Sequence, residues 1–287
     1  MPNQKNQAEW RRTMDNTTDL QVKQTLDGST LAGNVERRSV SMRRNVAITL
    51  WLLGFIAIVG ATVMVIMHPA PWPFDLQTTI TLQHMQLPSW LSSALSWPSI
   101  MGDPYPFTAI LTAWLVVLSL IGVVVWLRGR SPMRWFVTAI FIFFGTILMV
   151  TIDFITGTLV ARPRPSSPLI HVYMPITIVP SFPSGHVATN VVYYGFLLYV
   201  SFTKPVSQWR YRWILIPFQV YAALNILLIG YSRVLEGSHW LTDALAGYLF
   251  GALFLVLLII LYRWTLDNLT KRRAKRLAEK STQNQQA

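Results

Sequence analysis

Six stretches of this chain, residues 46–67, 107–127, 135–160, 187–202, 213–231 and 240–262, are candidates to cross a bilayer as helices. Crossing the hydrocarbon takes about 20 apolar residues in helical form. Lipid offers no partner to a backbone N–H or C=O, so only helices and closed barrels can span it. No strand-length alternation of the barrel type recurs along the chain. The expected fold class is therefore all-α, a six-span transmembrane helical bundle. Composition agrees: 52% of residues are hydrophobic and 13% charged, outside the usual range of soluble domains.

Lys and Arg collect on the cytoplasmic side of membrane proteins. Here Arg37, Arg38, Arg43 and Arg44 precede the first run, Arg128, Arg130 and Arg134 follow the second, Lys204, Arg210 and Arg212 follow the fourth, and Arg263, Lys271, Arg272, Arg273, Lys275 and Arg276 follow the last. The alternate connections contain no Lys, and their arginines are Arg162, Arg164 and Arg233. Both termini are thus expected in the cytoplasm, and those three arginines on the opposite, extracytoplasmic face of the cell membrane. The expected domains are a mobile polar tail over 1–45, a membrane domain over 46–262 and a basic tail over 263–287. The first run is too long for a signal-peptide core and reads as a retained anchor. The net charge of +12 flanks spans instead of forming a reading surface, so no nucleic-acid partner is expected. The basic segment 269–280 reads as a helix suited to anionic lipid headgroups. With no cysteine, disulfide and thiolate chemistry are excluded.

Three polar segments interrupt the apolar chain: Arg162-Pro163-Arg164-Pro165, Pro183-Ser184-Gly185-His186, and Ser232-Arg233 with His239 and Asp243. Alternation of the spans brings all three to one face. Phosphoryl transfer needs fixed cations around the non-bridging oxygens, a nucleophile in line with the leaving oxygen, and an acid to protonate that oxygen. Arg162, Arg164 and Arg233 are candidate cations, since a guanidinium matches two phosphate oxygens at once. His186 and His239 are candidate nucleophile and proton carriers. Asp243 lies four residues after His239, so on one helix its carboxylate could hold the imidazole. Gly185 lets backbone approach an anion closely, and a helix starting near Ser184 would present free N–H groups. Within the third span, Asp153 must be paired or hydrated and reads as a partner for an arginine or another helix. Asn190 and Asn225 are expected to bond between helices. In the long connection 68–106, Pro88 could start a short helix whose Trp90 and Leu91 rest in the membrane interface and help a lipid reach the site sideways.

These segments resemble the type 2 phosphatidic acid phosphatase superfamily, whose pattern is Lys, six residues, Arg-Pro; Pro-Ser-Gly-His; and Ser-Arg, five residues, His, three residues, Asp. Pro183 to His186 match the second part, and Ser232, Arg233, His239 and Asp243 match the third with both gaps. The resemblance implies a haloperoxidase-like phosphatase core over about 46–262. It further implies His239 as a nucleophile forming a phosphohistidine, Asp243 as its orienting partner and His186 as the acid. Arg164, Ser184, Gly185 and Arg233 would bind phosphoryl oxygens, with neither metal nor cofactor. The first part departs from the pattern: its lysine position holds Gly157 if Arg164 is the family arginine, or Ile155 if Arg162 is. Arg162 is expected to compensate by sharing the phosphate with Arg164.

The expected function is hydrolysis of a lipid phosphate or diphosphate, with polyprenyl (undecaprenyl) diphosphate the first choice because the site faces outward. Phosphatidylglycerophosphate, phosphatidic acid and diacylglycerol diphosphate are the alternatives. Membrane lipids are the expected partners, and nothing in the sequence specifies an oligomeric state. A transporter would place its polar residues near the midplane, and a vanadate haloperoxidase resembles the same motifs but is soluble. The missing lysine also leaves room for a non-catalytic lipid-binding or transport protein on the same fold.

Overall fold

The computed structural model describes residues 41–172 and 179–286. Of the mobile tail expected over 1–45, residues 1–40 lie outside the described residues, and residues 41–45 instead begin helix α1. Compactness divides the chain after Leu53. Before that point the described residues form the start of helix α1 (Ser41–Met67). From Gly54 onward lies the unit that carries everything below.

That unit contains the end of α1, then α2 (Pro73–His84), α3 (Ser89–Gly102), α4 (Pro104–Leu127), α5 (Met133–Val160), α6 (Gly185–Phe202), α7 (Ile216–Leu235) and α8 (Leu241–Gln286), with short 3₁₀ turns at Val206–Gln208 and Arg212–Leu215. All regular structure among the described residues is helical. Five helices are long and apolar enough to cross a membrane: Ser41–Met67, Pro104–Leu127, Met133–Val160, Arg212–Leu235 and Leu241–Asn284.

The sixth expected span is α6, and it differs in kind. Its 18 residues reach about 27 Å, yet Asn190, Tyr193, Tyr194 and Ser201 dilute its apolar character. It can carry them because it is the central helix, packed against α5, α7 and α8. Twelve of its 18 residues are buried, so protein takes the place of lipid around it. Tyr193 stacks edge-on against Tyr194 and Phe107, and Phe196 against Tyr262. Asn190 and Asn225, expected to bond between helices, instead donate back along their own helices to the carbonyls of His186 and Tyr221. Each carbonyl lies one turn earlier, within reach of a short amide, so no second helix is needed.

Small residues set how closely α8 approaches α6. A Cβ on Gly247 would lie 2.6 Å from the Ser184 carbonyl oxygen, and one on Gly251 would lie 2.7 Å from that of Ala188. Four residues apart, these glycines form one flat stripe of the kind that lets membrane helices touch backbone to backbone. The approach brings the start of α8 against the start of α6, where the Ser184 N–H donates to the Asp243 carbonyl at 3.0 Å. The basic tail expected after residue 262 continues α8 instead of forming a separate element.

Two helices occupy the long connection after α1. As anticipated, α3 begins directly after Pro88, with Trp90 exposed. The sequence reading did not identify α2. Pro73 stands in its first turn, and its third residue, Asp75, accepts the Trp72 N–H at 3.3 Å. Together they supply a start signal, but alternating Thr and Gln leave the segment without a strong apolar stripe.

Candidate active site

Four chain segments meet at one end of the bundle: the stretch after α5, the start of α6, the turn from α7 into α8, and the start of α4. The turn explains the third motif. Gly237 adopts φ 66°, its N–H donates to Val234 O, and the Ser238 N–H reaches back to Arg233 O, each at 3.0 Å. These two bonds make a Schellman ending for α7. The His239 N–H also points to Arg233 O, at 3.3 Å. Five intervening residues thus wrap into one tight reversal that sets His239 beside Arg233.

His239 is only 1% exposed. Its Nδ1 lies 2.7 Å from the Ser181 carbonyl oxygen. A carbonyl can only accept, so Nδ1 carries the proton and Nε2 holds a free lone pair. Nε2 is buried and has no hydrogen-bond partner. Burial, then the charges of Arg164 and Arg233, hold the ring well below its ordinary value of 6.5 and keep it neutral. The outcome is a tautomerically fixed imidazole with one nitrogen aimed into a cationic site.

Asp243 is four residues on, but it does not bond to His239 directly: Oδ2 stands 4.0 Å from Nδ1. His239 precedes α8, so the two residues do not share a regular helical turn. Asp243 accepts the Ser181 hydroxyl at 2.5 Å and the Trp240 N–H at 3.0 Å. It therefore steadies Ser181, whose carbonyl in turn fixes His239.

The two motif-one arginines part company. Left-handed Ala161 ends α5 (φ 52°), its N–H bonding back to Gly157 O. Arg162 then turns inward and is 0% exposed. Its Nη1 bonds Asp243 and Thr242 Oγ1, its Nη2 pairs with Asp75 at 2.9 Å, and its Nε reaches Pro69 O. Trp72 packs across its guanidinium, 5.0 Å from ring centroid to Cζ. The phosphate-sharing role expected for Arg162 does not fit this placement. Two buried carboxylates, Asp75 and Asp243, hold this guanidinium, and its donors are spent beneath the site. Arg164 lies on the other side, with Nη1 on Ser238 O at 2.9 Å and Nε on Val179 O at 2.7 Å. Burial and then Arg233 pull its guanidinium below the usual value, while Asp243 and Asp153 act oppositely. An arginine keeps its charge regardless.

Ser184 stands at the N-cap of α6, its Oγ buried without a partner. Arg233 is 4% exposed; its Nη1 donates to Ser99 Oγ at 2.6 Å and lies 3.4 Å from Glu236 Oε2, while Nε is unpartnered. Asp153 sits against the same helix start, where a Cβ on Gly185 would fall 2.1 Å from Oδ2, and its Oδ1 has no partner. His186 lies with Nε2 3.8 Å from Asp103 Oδ1, an ion-pair separation too long for a hydrogen bond. His186, then Arg233, holds the Asp103 carboxyl below its usual range despite partial burial.

Sequence reasoning missed Ser181, Asp75, Thr242 and Asp103. For Ser181 and Thr242 no signal existed. Asp75 and Asp103 could have been suspected, because they are the only carboxylates in residues 68–106. No cluster of three or more metal-ligating side chains occurs among the described residues.

Comparison with solved structures finds a similar fold in a transmembrane PAP2-type phosphatidylglycerolphosphate phosphatase from Bacillus subtilis, at 17% identity and TM-score 0.52, covering 72% of this chain and 93% of that one. LpxE from Aquifex aeolicus is more distant, at 18% identity and TM-score 0.42, over 66% of this chain and 96% of that one. Comparison with curated proteins gives no match. Residues 134–267 match the PAP2 superfamily, and this stretch contains all three polar segments. Over residues 134–267 the chain is thus similar to the PAP2 superfamily, and its helical fold is similar to that of the Bacillus subtilis enzyme.

Proposed function

We propose that this membrane phosphatase removes a phosphate from a lipid headgroup through a phosphohistidine at His239. The observation that carries the reading is the His239 ring, neutral, anchored through Nδ1, with a bare Nε2 and within the electrostatic reach of Arg164 and Arg233. In the first step Nε2 attacks phosphorus, a P–N bond forms, and the P–O bond to the lipid breaks. His186 gives its proton to the departing oxygen. In the second step His186 takes a proton from water, whose oxygen attacks phosphorus; the P–N bond breaks, inorganic phosphate leaves and the Nε2 lone pair returns.

Arg164, the Arg233 Nε, the Ser184 hydroxyl and the N–H groups around Gly185 hold the non-bridging oxygens. These fixed donors supply the charge neutralisation that a metal provides elsewhere, so the reaction is proposed as metal-independent. Asp243 acts through Ser181 and Arg162 instead of by direct contact with the ring. The Lys and Arg distribution supports cytoplasmic termini and an extracytoplasmic site in the cell membrane.

Undecaprenyl diphosphate, phosphatidylglycerophosphate and phosphatidic acid are the first substrates to assay. Purified protein should release inorganic phosphate from at least one, with the chelator EDTA having no effect and His239→Ala abolishing release. Undiminished release by the variant would remove the proposal.

A further inference from the structure

Asp103, the neighbour of His186, lines a cavity of about 780 Å³ between α2, α3 and the end of α7. Gln83, Ser92, Ser93, Ser96, Ser99, Asp103, His171, Arg233 and Glu236 contribute its polar lining. Resting on the phosphatase reading above, we infer that this cavity is the leaving-group subsite, and that it takes a neutral, hydroxyl-bearing headgroup lying between the phosphoryl group and the hydrocarbon.

The cavity is joined to the chemistry by shared residues. Asp103 lines it and stands 3.8 Å from His186 Nε2 and 4.0 Å from Arg233 Nη1. Arg233 is nine-tenths buried and also lines it, with Nε unpartnered. The proton donor therefore lies on the cavity side of the phosphoryl group, where the departing oxygen and its substituent must be.

The lining then selects the substituent. Two carboxylates accept hydrogen bonds, and serine hydroxyls both give and accept them. A second phosphate placed here would face Asp103 and Glu236, while Arg233, the arginine in the same lining, already stands 4.0 Å and 3.4 Å from those two carboxylates; the net repulsion disfavours it. A bare polyprenyl or acyl chain would strip water from the serines and carboxylates without replacing its hydrogen bonds. Hydroxyl groups of a polyol or sugar satisfy both kinds of wall residue, and their C–H faces can rest on Leu82 and Ile100, which also line the cavity.

The onward path fits the same order. An apolar groove of about 520 Å³ along α3 and α7, with Leu224 and Leu228, shares Ser93 and Trp97 with the cavity. Continuity of the two spaces commits the groove to the hydrocarbon chain of the same substrate. Phosphate, hydroxylated head and chain then occupy the site, the cavity and the groove in turn. This assignment displaces undecaprenyl diphosphate as the preferred substrate.

The test compares the full-length protein in detergent micelles on four substrates: phosphatidylglycerophosphate, phosphatidic acid of the same acyl chains, undecaprenyl diphosphate, and p-nitrophenyl phosphate, which has no hydroxylated head. The wild type should favour phosphatidylglycerophosphate in kcat/KM by at least tenfold over the other two lipids. The double variant Ser92→Ala/Ser96→Ala removes two hydroxyls without adding bulk. It should lose about tenfold on phosphatidylglycerophosphate, as expected for two hydrogen bonds, and stay within twofold on p-nitrophenyl phosphate and phosphatidic acid. Ser96→Leu, which fills the cavity, should give a larger loss with the same selectivity. Equal losses on all substrates, no loss on phosphatidylglycerophosphate, or a wild-type preference for undecaprenyl diphosphate overturns the inference while leaving the phosphatase reading intact. Failure of the wild type to release phosphate from any of the four removes the phosphatase reading itself.

Discussion

Replacing Arg162 by Met separates a buried structural cation from a phosphate ligand. The guanidinium makes charged contacts with Asp75 and Asp243, and all three side chains are 0% exposed. Met retains most of the volume but leaves two carboxylates buried without their cation. Breaking a buried ion pair from one side costs about 3–5 kcal/mol, because the remaining charge is uncompensated. Against a stability of roughly 5–15 kcal/mol for a folded domain, that is a large share. At about 2–4 °C per kcal/mol, the variant should melt on the order of 10 °C lower in detergent. Adding Asp75→Asn removes one stranded charge and should recover part of the loss, so the two changes combine to less than their sum. Arg164→Ala should behave oppositely: Arg164 donates to the Ser238 and Val179 carbonyls, so melting should change little while kcat/KM falls at least tenfold. The assay is thermal unfolding of both variants alongside phosphate release. An Arg162→Met protein that melts like the wild type and shows only a raised KM would refute this account of Arg162.

Three further outcomes follow from the geometry. His186→Ala should slow a monoester by about 10²–10⁴-fold, the usual worth of a positioned acid, and a diphosphate far less, since phosphate leaves without help; equal losses would contradict the role of His186. Gly185→Ala places a Cβ 2.1 Å from Asp153 Oδ2, so phosphate release should collapse, and Gly185→Ala/Asp153→Ala should recover part of it; full activity in the single variant would show that the contact can relax. His239 is held well below 6.5 in the fold, so as pH falls below about 6.5 the unfolded chain takes up the proton first. Its stabilising contribution is complete above that pH and is lost progressively below it. The melting gap between wild type and His239→Asn should therefore shift in favour of the variant on acidification, and a gap constant from pH 8 to pH 5 would contradict a depressed ring.

How much was legible in the sequence depended on whether a residue's partner was local. The five apolar spans and the Pro88 start of α3 follow from hydropathy and a capping proline, whereas the Arg233-to-His239 reversal closed by Gly237 was not read from the sequence. α6 was found as a run, but its central position was not, because Asn190 and its tyrosines mark burial in protein only once α5, α7 and α8 surround them. Motif spacing pointed to His239 and Asp243 as neighbours without showing that Ser181 stands between them. The division of labour between Arg162 and Arg164 was illegible for a similar reason. The inward placement of Arg162 depends on Asp75, 87 residues before it, on a helix whose weak apolar pattern hid it. Long-range polar pairing leaves no period in a sequence.

The most direct measurement is capture of the covalent intermediate: rapid acid-free quenching of enzyme with lipid labelled in its terminal phosphate, followed by peptide mapping. Label should sit on Nε2 of His239, be labile to acid and stable to base as a P–N bond requires, and be absent from His239→Ala. Turnover by the wild type with no labelled protein under single-turnover conditions, or label that persists in the variant, would contradict nucleophilic attack by this ring.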